Sequence, residues 1–174
     1  MYFNTKSRKR KRVIMSISSW IMTIVVAIGL AWALVNYVAQ TTYMIGESMK
    51  PTLKNGQLVM VHKIRYHFTK PERFDVIVFE NKKSNNSHFY IKRIIGLPGE
   101  TVQISDGEVY INGEKIEGTP FKESIVTAGL AAEPIELGEN EYFVMGDNAN
   151  NSEDSRSDNI GNIAEENIIG KVKE

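Results

Sequence analysis

The sequence predicts a mostly β domain behind a single N-terminal transmembrane helix. A charge-free stretch from Val13 to Gly46 contains the apolar run 17–38. A helix needs roughly 20 apolar residues to cross a bilayer core of about 30 Å, and this run is long enough. The later part of the chain has short apolar runs separated by Asn-Gly and Asp-Gly pairs, and it lacks sustained helical periodicity. We therefore expect an antiparallel β domain carried by a membrane anchor.

Six basic side chains and no acidic one precede the anchor, within residues 1–12. By the positive-inside rule, this segment stays in the cytoplasm. The expected domains are thus a basic cytoplasmic segment at 1–12, a transmembrane anchor at 13–39 and an extracytoplasmic domain at 40–174. The alternative is a cleaved secretory signal peptide, whose apolar region is usually shorter, about 7–15 residues. Its cleavage motif would be Ala31-Trp32-Ala33, which lies inside the apolar run.

Charge and composition exclude several classes of function. The chain has 21 basic and 21 acidic residues, so the part after the N-terminal cluster has a net charge of −6. An acidic outward-facing domain is no nucleic-acid binder, because neutralising phosphates requires a basic patch. Without cysteine, the chain can form neither disulfides nor thiolate sites. The three histidines, His62, His67 and His88, lack the spacing of metal ligands, and we expect no metal or cofactor.

The pattern of apolar runs predicts a series of short strands in the β domain. Residues 74–79 (F-D-V-I-V-F) are β-branched and aromatic, which is typical of a strand buried on both faces. Two hairpins should turn at Asp106-Gly107 and Asn112-Gly113, because such pairs adopt the positive φ of tight turns. The other expected strands are 57–63, 89–95 and 141–145, and polar loops are expected at 81–87 and 146–158.

A serine and a lysine are the candidates for catalysis. Ser48 lies just beyond the apolar run, where a nucleophile would work at the membrane surface. A neutral lysine can take the serine proton, and burial can lower its pKa by several units from about 10.4. Lys92 lies in the apolar run F-Y-I-K-R-I-I, whereas the neighbouring Arg93 keeps its proton in proteins. These residues alone leave open that Lys92 extends to solvent, and they do not exclude a Ser-His-Asp triad.

Three segments, taken in order, resemble type I signal peptidases, the serine-lysine proteases that remove signal peptides from exported preproteins. They read G-E-S-M-K-P-T-L at 46–53, Y-I-K-R-I-I-G-L-P-G-E at 90–100 and G-D-N-A-N-N-S-E-D-S-R at 146–156. The run F-D-V-I-V-F is similar to a further family block. The resemblance covers nearly all of the exported part together with the anchor. A lysine at position 92 and a single short anchor resemble the bacterial branch, in its Gram-positive form.

The resemblance implies a role for each matched residue. Ser48 would be the nucleophile and an oxyanion donor through its backbone N–H, and Lys92 would be the general base. Ser152 would hydrogen-bond that base. Structural ion pairs around the site would involve Asp147, Asp154 and Arg156. The implied fold is an antiparallel coiled sheet or small barrel, in which 97–140 forms a less essential cap-like β-hairpin insertion.

The implied reaction is endoproteolysis after a small residue, through an acyl-enzyme and without a cofactor. The expected partners are the signal peptides of secretory preproteins and the lipid bilayer, with no nucleic acid, and we expect a monomer. Two other functions remain open. One is a non-catalytic, membrane-anchored β binding module. The other is a self-processing serine-lysine protease like the SOS repressors, against which the anchor argues.

Three features depart from the family pattern. Gly46 stands where some members have a serine that donates to the oxyanion, so here the hole should rest on backbone N–H groups. The stretch after Arg156 is longer and more polar than usual. The chain stops at G-K-V-K-E, where many relatives continue into an aromatic strand. The last two features leave the final sheet edge and the membrane-contacting surface open.

Overall fold

The computed structural model describes residues 5–82 and 89–173. The chain divides into two compact units, Met1–Val38 and Ala39–Glu174. In the first unit, the long helix α1 spans Thr5–Val38, so the basic residues from position 5 onward belong to the helix. Its stretch Met15–Trp32 is exposed throughout and is long and apolar enough to cross a membrane. The boundaries expected for the anchor remain a prediction.

The second unit is built almost entirely from short strands. They are β1 (Ala39–Tyr43), β2 (Leu58–His62), β3 (Val76–Glu80), β4 (Phe89–Gly96), β5 (Thr101–Ser105), β6 (Glu108–Ile111), β7 (Glu114–Lys115), β8 (Ile135–Glu136), β9 (Glu141–Met145), β10 (Ile163–Ala164) and β11 (Ile168–Lys173). The helical pieces of this unit are the single turn α2 (Arg65–Phe68) and 3₁₀ turns at Gly129–Ala132, Ala149–Asn151 and Glu165–Asn167. The predicted fold class, mostly β after one apolar helix, is confirmed.

The described residues of this unit form two antiparallel sheets. The larger is a curled half-barrel with the strand order β1-β2-β11-β3-β4-β9-β10. The smaller sheet has the order β7-β6-β5-β8, and all its strands lie within 97–140, the segment expected to form a cap. Its hairpins turn at the two predicted pairs, where Asp106, Gly107, Asn112 and Gly113 all have positive φ.

Strand β3 lies in the middle of the core and is buried on both faces, as its composition predicted. Val76 and Val78 pack into one apolar cluster together with Met49, which follows Ser48 in the chain. On the other face, Ile77 and Phe79 pack into a second cluster. Burying each such side chain contributes about 1.5–3 kcal/mol, so β3 is a rigid support for its neighbour β4.

The two strands at the ends of this unit were not predicted. Strand β1 begins at Ala39, directly after α1, and pairs with β2. Strand β11 contains the C-terminal G-K-V-K and lies between β2 and β3 in the interior of the sheet. A Cβ atom at Gly170 would come within 2.6 Å of the His62 carbonyl oxygen, so glycine permits the close approach of these strands. Strand β11 is therefore not an edge strand, and among the described residues β1 and β10 lie at the two edges of this sheet.

Some predicted features lie outside the described residues. They include most of the polar loop 81–87 and His88, while His67 is placed only by its backbone. His62 ends β2 and is half-buried. In the part of the chain that the structure describes, no group of histidine and carboxylate side chains is arranged to hold a metal ion.

Candidate active site

Ser48 and Lys92 come together in the folded domain. Ser48 lies in the loop between β1 and β2, and this loop is anchored by Met49 and Leu53, which are buried in the core. Lys92 lies on β4, opposite Ile77 of β3. The Nζ atom of Lys92 is 2.7 Å from the Oγ atom of Ser48, within hydrogen-bond distance. The two residues are 44 positions apart in the chain, so the tertiary fold creates this contact.

The surroundings of Lys92 favour its neutral form. Only 4% of the residue is exposed. Burial lowers the pKa of Lys92 from 10.5 to about 8, and the positive charge of Arg156 also lowers it. The carboxylates of Asp154, Glu153 and Asp147 act in the opposite direction, so burial prevails over them. Near pH 8, about half of such lysines are unprotonated and able to accept a proton from a serine hydroxyl.

Asn148 donates hydrogen bonds to two backbone carbonyl groups, that of Ser48 and that of the preceding Glu47. Its backbone N–H donates to the Ser48 carbonyl at 2.9 Å, and its Nδ2 donates to the Glu47 carbonyl at 3.2 Å. A trans peptide is planar, so its N–H points away from its C=O. Fixing the Glu47 carbonyl therefore also fixes the direction of the Ser48 N–H, away from Asn148.

A second polar contact holds the start of the same loop. The N–H of Gly46 donates to Oδ1 of Asn55 at 3.0 Å, and Gly46 has a φ of +90°. That conformation is easy for glycine and strained for other residues. The local backbone thus favours a glycine at position 46.

Two buried ion pairs surround the serine and the lysine. Arg156 contacts both carboxylate oxygens of Asp154, at 2.8 and 2.9 Å. Arg93 contacts both oxygens of Asp147, at 2.8 and 2.7 Å, and Thr52 also donates to Asp147. The family resemblance implied ion pairs for Asp147, Asp154 and Arg156 but did not identify Arg93 as a partner. The two-point contact of Arg93 with Asp147, together with Thr52, fixes the third motif against β4 and the Ser48 loop, whereas the pair of Arg156 with Asp154 lies within the third motif.

Ser152 is close to the site but does not make the expected hydrogen bond. Its Oγ atom is buried and has no hydrogen-bond partner among the described residues, Lys92 included. It packs instead against the backbone of Gly146. A Cβ atom at Gly146 would lie 2.3 Å from Ser152 Oγ and 2.4 Å from the Ser48 carbonyl oxygen. Only glycine leaves room for both groups here, because a side chain at position 146 would displace Ser152 or the backbone of Ser48.

A pocket of about 480 Å³ opens beside Ser48 and Lys92. Its other walls are residues 42–45 before the serine and 89–91 of β4, and they include the buried apolar side chains of Met44 and Ile91. Strand β4 pairs with β9 only from Arg93 onward, so within the described part of the chain no strand pairs with 89–92 on that side. An extended peptide could add to this free edge by backbone hydrogen bonds.

Comparisons with known proteins decide the family. The model of the family described as signal peptidase, peptidase S26, matches residues 17–174. The chain belongs to this signal peptidase family. The predicted family and enzyme class are thus confirmed, and the protein is an S26 serine peptidase.

Named members of the signal peptidase family cover most of the chain. Signal peptidase I T of Bacillus subtilis is 35% identical over 178 residues, which cover 98% of this chain and 90% of that protein. Signal peptidase I of Leptolyngbya laminosa is 40% identical over 160 residues, covering 87% and 75% respectively. The crystal structure of a signal peptidase I from Enterococcus faecalis is 32% identical, with a TM-score of 0.51, and the match covers 60% of this chain and 98% of that one.

Sequence reasoning missed several residues that shape this signal peptidase site. Asn148 and Thr52 lie inside the motif segments, but the sequence did not indicate which groups they hydrogen-bond. Asn55 lies just beyond the first motif segment. Arg93 was set aside because it cannot act as a base. A signal for its role was available, since a second basic residue in an apolar strand needs a buried carboxylate partner.

Proposed function

We propose that the protein is a membrane-anchored endopeptidase that removes signal peptides from exported preproteins, with Ser48 as nucleophile and Lys92 as general base. One observation carries the proposal: Lys92 Nζ is 2.7 Å from Ser48 Oγ, and burial lowers the pKa of this lysine to about 8. The named signal peptidases among its relatives support signal peptides as the substrate class. The near approach of a buried amine to a hydroxyl supports the assignment of the two roles.

The proposed reaction begins with acylation. Lys92 takes the Ser48 proton as Oγ attacks the carbonyl carbon of the scissile bond, and the oxyanion that forms accepts a hydrogen bond from the Ser48 N–H. Protonated Lys92 then gives its proton to the leaving amine, which departs as the new N-terminus of the mature protein. Water attacks the remaining ester with neutral Lys92 again as base, and this step releases the signal peptide and restores Ser48.

The residues around this pair support the other proposed roles. Asp147, Asp154 and Arg156 would hold the third motif in place through their buried ion pairs with one another and with Arg93. Ser152 would contact Lys92 during the reaction, since its buried hydroxyl has no other partner among the described residues. A buried hydroxyl without a hydrogen-bond partner destabilises the folded protein, and a hydrogen bond to Lys92 would remove that cost.

Cleavage after small residues is proposed from the pocket beside the pair. Signal peptide residues would lie extended along the free edge of β4, with side chains directed into the pocket of about 480 Å³. The exposed side chains of Tyr43 and Phe89 stand near its rim and would limit the size of the side chains admitted. The enzyme would act as a monomer.

We also propose the location. Residues 13–39 would anchor the chain in the cell membrane with 1–12 in the cytoplasm, because the basic cluster precedes the apolar helix. Residues 40–174 would then lie outside, with 97–140 as a cap. External protease added to intact protoplasts should digest the domain after Gln40 and spare an N-terminal tag. A C-terminal domain that is digested only after lysis would contradict this orientation.

The catalytic assignment is tested with the full-length enzyme in detergent and a purified preprotein. Ser48→Ala and Lys92→Ala should both abolish processing while circular dichroism stays unchanged. Matched controls are Ser105→Ala and Lys115→Ala, which alter the same residue types in the smaller sheet and should process normally. Processing by Ser48→Ala at nearly the rate of the unmodified enzyme would contradict the nucleophile.

A further inference from the structure

We propose that a second groove of this enzyme binds the first residues of the mature protein, on the far side of the scissile bond from the signal peptide. This inference rests on the proposed function. The groove has a volume of about 210 Å³ and is lined by residues 50–51, 121–123 and 147–150. An endopeptidase substrate continues past the nucleophile in both directions, so it must meet the protein surface on both sides of Ser48.

The groove lies beside the turn that carries the nucleophile. Lys50 and Pro51 follow Ser48 in the same turn, and Asn148 in the opposite wall donates to the Ser48 carbonyl at 2.9 Å. The pocket that contains Lys92 is lined by residues 42–45 before Ser48 and by 89–92. The two cavities share no lining residue among those described, yet both reach the Ser48 turn.

The chemistry of the two cavities assigns them to different parts of the substrate. The pocket at Lys92 has apolar walls, including Met44, Ile45 and Ile91, which suit the small and apolar residues that end a signal peptide. The second groove is lined mainly by polar and charged side chains, with Lys122 and Glu123 exposed at its rim. Such a surface suits a hydrophilic peptide, as the start of a water-soluble mature protein is.

One wall of the groove is held in place by Asn150 of the third motif. Its Oδ1 accepts a hydrogen bond from the Val126 N–H at 2.9 Å, and its Nδ2 donates to the Ser124 carbonyl at 3.0 Å. Between them, Ile125 is buried in the apolar core of the smaller sheet. The wall at 121–123 therefore comes from the segment 97–140 but is fastened to the motif that carries Asp147. In this view the segment contributes to substrate binding, and Asn150 is a positioning residue.

The test uses the full-length enzyme in detergent and two peptides with the same signal sequence and scissile bond. The short peptide ends as an amide after one mature residue, and the long one continues for several more. The long peptide should have a kcat/KM higher by about tenfold, because remote binding energy raises this ratio. Asn150→Ala should remove most of this advantage, so that its kcat/KM for the long peptide falls toward its kcat/KM for the short one. The control Asn151→Ala, an exposed neighbour, should retain the advantage.

A second variant, Lys122→Glu, keeps the test decisive if circular dichroism shows that Asn150→Ala is poorly folded. Lys122→Glu should make long peptides with an early glutamate poorer substrates than those with an early lysine. If the unmodified enzyme cleaves short and long peptides with equal kcat/KM, the proposed role of the groove is wrong. It is also wrong if neither variant alters the higher kcat/KM for the long peptide. In both cases the proposed function survives, because the short peptide is still cleaved. If neither peptide is cleaved, the proposed function fails and the groove fails with it.

Discussion

Lys92 and Arg93 are neighbours in β4, yet they serve different parts of the site. Lys92 Nζ lies 2.7 Å from Ser48 Oγ, whereas the Arg93 guanidinium contacts both carboxylate oxygens of Asp147. Successive side chains of a strand point to opposite faces, which separates the two cations. Lys92 can therefore contact Ser48, while Arg93 forms a buried ion pair with Asp147.

Lys92→Arg should be as inactive as Lys92→Ala, with kcat/KM reduced by about a thousandfold or more. A guanidinium keeps the positive charge but cannot accept a proton at working pH. The measurement is preprotein cleavage by the purified variants, with Lys115→Arg on the smaller sheet as the control. Arg93→Lys is unsuitable as a control, since it would break the two-point contact with Asp147. Substantial activity in Lys92→Arg would mean that Lys92 acts only through its charge or packing.

The pH–rate profile should report the protonation of Lys92. Because neutral lysine is the active form and its pKa is about 8, kcat/KM should rise about tenfold per pH unit below pH 8 and level off above it. The charge of Glu153 raises this pKa, so Glu153→Gln should move the acidic limb to lower pH. Glu166→Gln, at an exposed pair with Lys82, should leave it in place. A profile that is flat down to about pH 5 would exclude a lysine base.

Lys92→Met should stabilise the fold while abolishing activity. Below about pH 8 the lysine is charged in both states, so the folded chain bears the full cost of burying the charge. The gap between pKa values of 10.5 and about 8 corresponds to about 3 kcal/mol. The cost falls as pH rises from 8 to 10.5, because the folded state loses the proton first. In thermal unfolding, the stability that Lys92→Met gains over the unmodified protein should therefore be smaller at pH 10 than at pH 7. An equal gain in stability at both pH values would contradict the assigned pKa.

Asn148→Asp should lower kcat with little change in KM. Replacing Nδ2 by an oxygen removes the hydrogen bond to the Glu47 carbonyl and sets two acceptors against each other, which frees the peptide that carries the Ser48 N–H. A weakened oxyanion donor reduces kcat by about a hundredfold. Steady-state kinetics on a preprotein peptide measure the change, and Asn151→Asp is the control on the adjacent turn. A change confined to KM would assign Asn148 to substrate binding.

Asp75→Asn should destabilise the domain by about 3 kcal/mol. Asp75 is buried directly before β3, where Tyr66 donates to it at 2.9 Å and Lys171 of β11 is its ion-pair partner. Burial and the hydrogen bond to Asp75 raise the pKa of Tyr66, so its hydroxyl remains a donor. Removing the carboxylate charge leaves Lys171 without its partner in the interior of the sheet. Thermal unfolding measures the effect, and an unchanged midpoint would contradict a structural role for this cluster.

Local sequence patterns were sufficient for much of the fold. Strand β3 was recognisable because its residues are apolar on both faces, and the hairpins were recognisable because Asp106-Gly107 and Asn112-Gly113 favour positive φ. The three motif segments identified the family, and a lysine in an apolar strand was already a candidate base. These features depend on residues that are close together in the chain, so the sequence alone is informative about them.

Only the tertiary structure decided which strands and side chains meet. Strand β11 mixes three aliphatic residues with a glycine and two lysines, and it forms between β2 and β3, which pair with it on both sides. The contact of Lys92 with Ser48, the ion pair of Arg93 with Asp147 and the packing of Ser152 on Gly146 rather than on Lys92 likewise depend on folding. A strand pattern gives the face on which a side chain lies, but its partner is set by the packing of segments that are far apart in the chain. The sequence therefore determined the elements and the candidate residues, and the packing of the half-barrel determined the site.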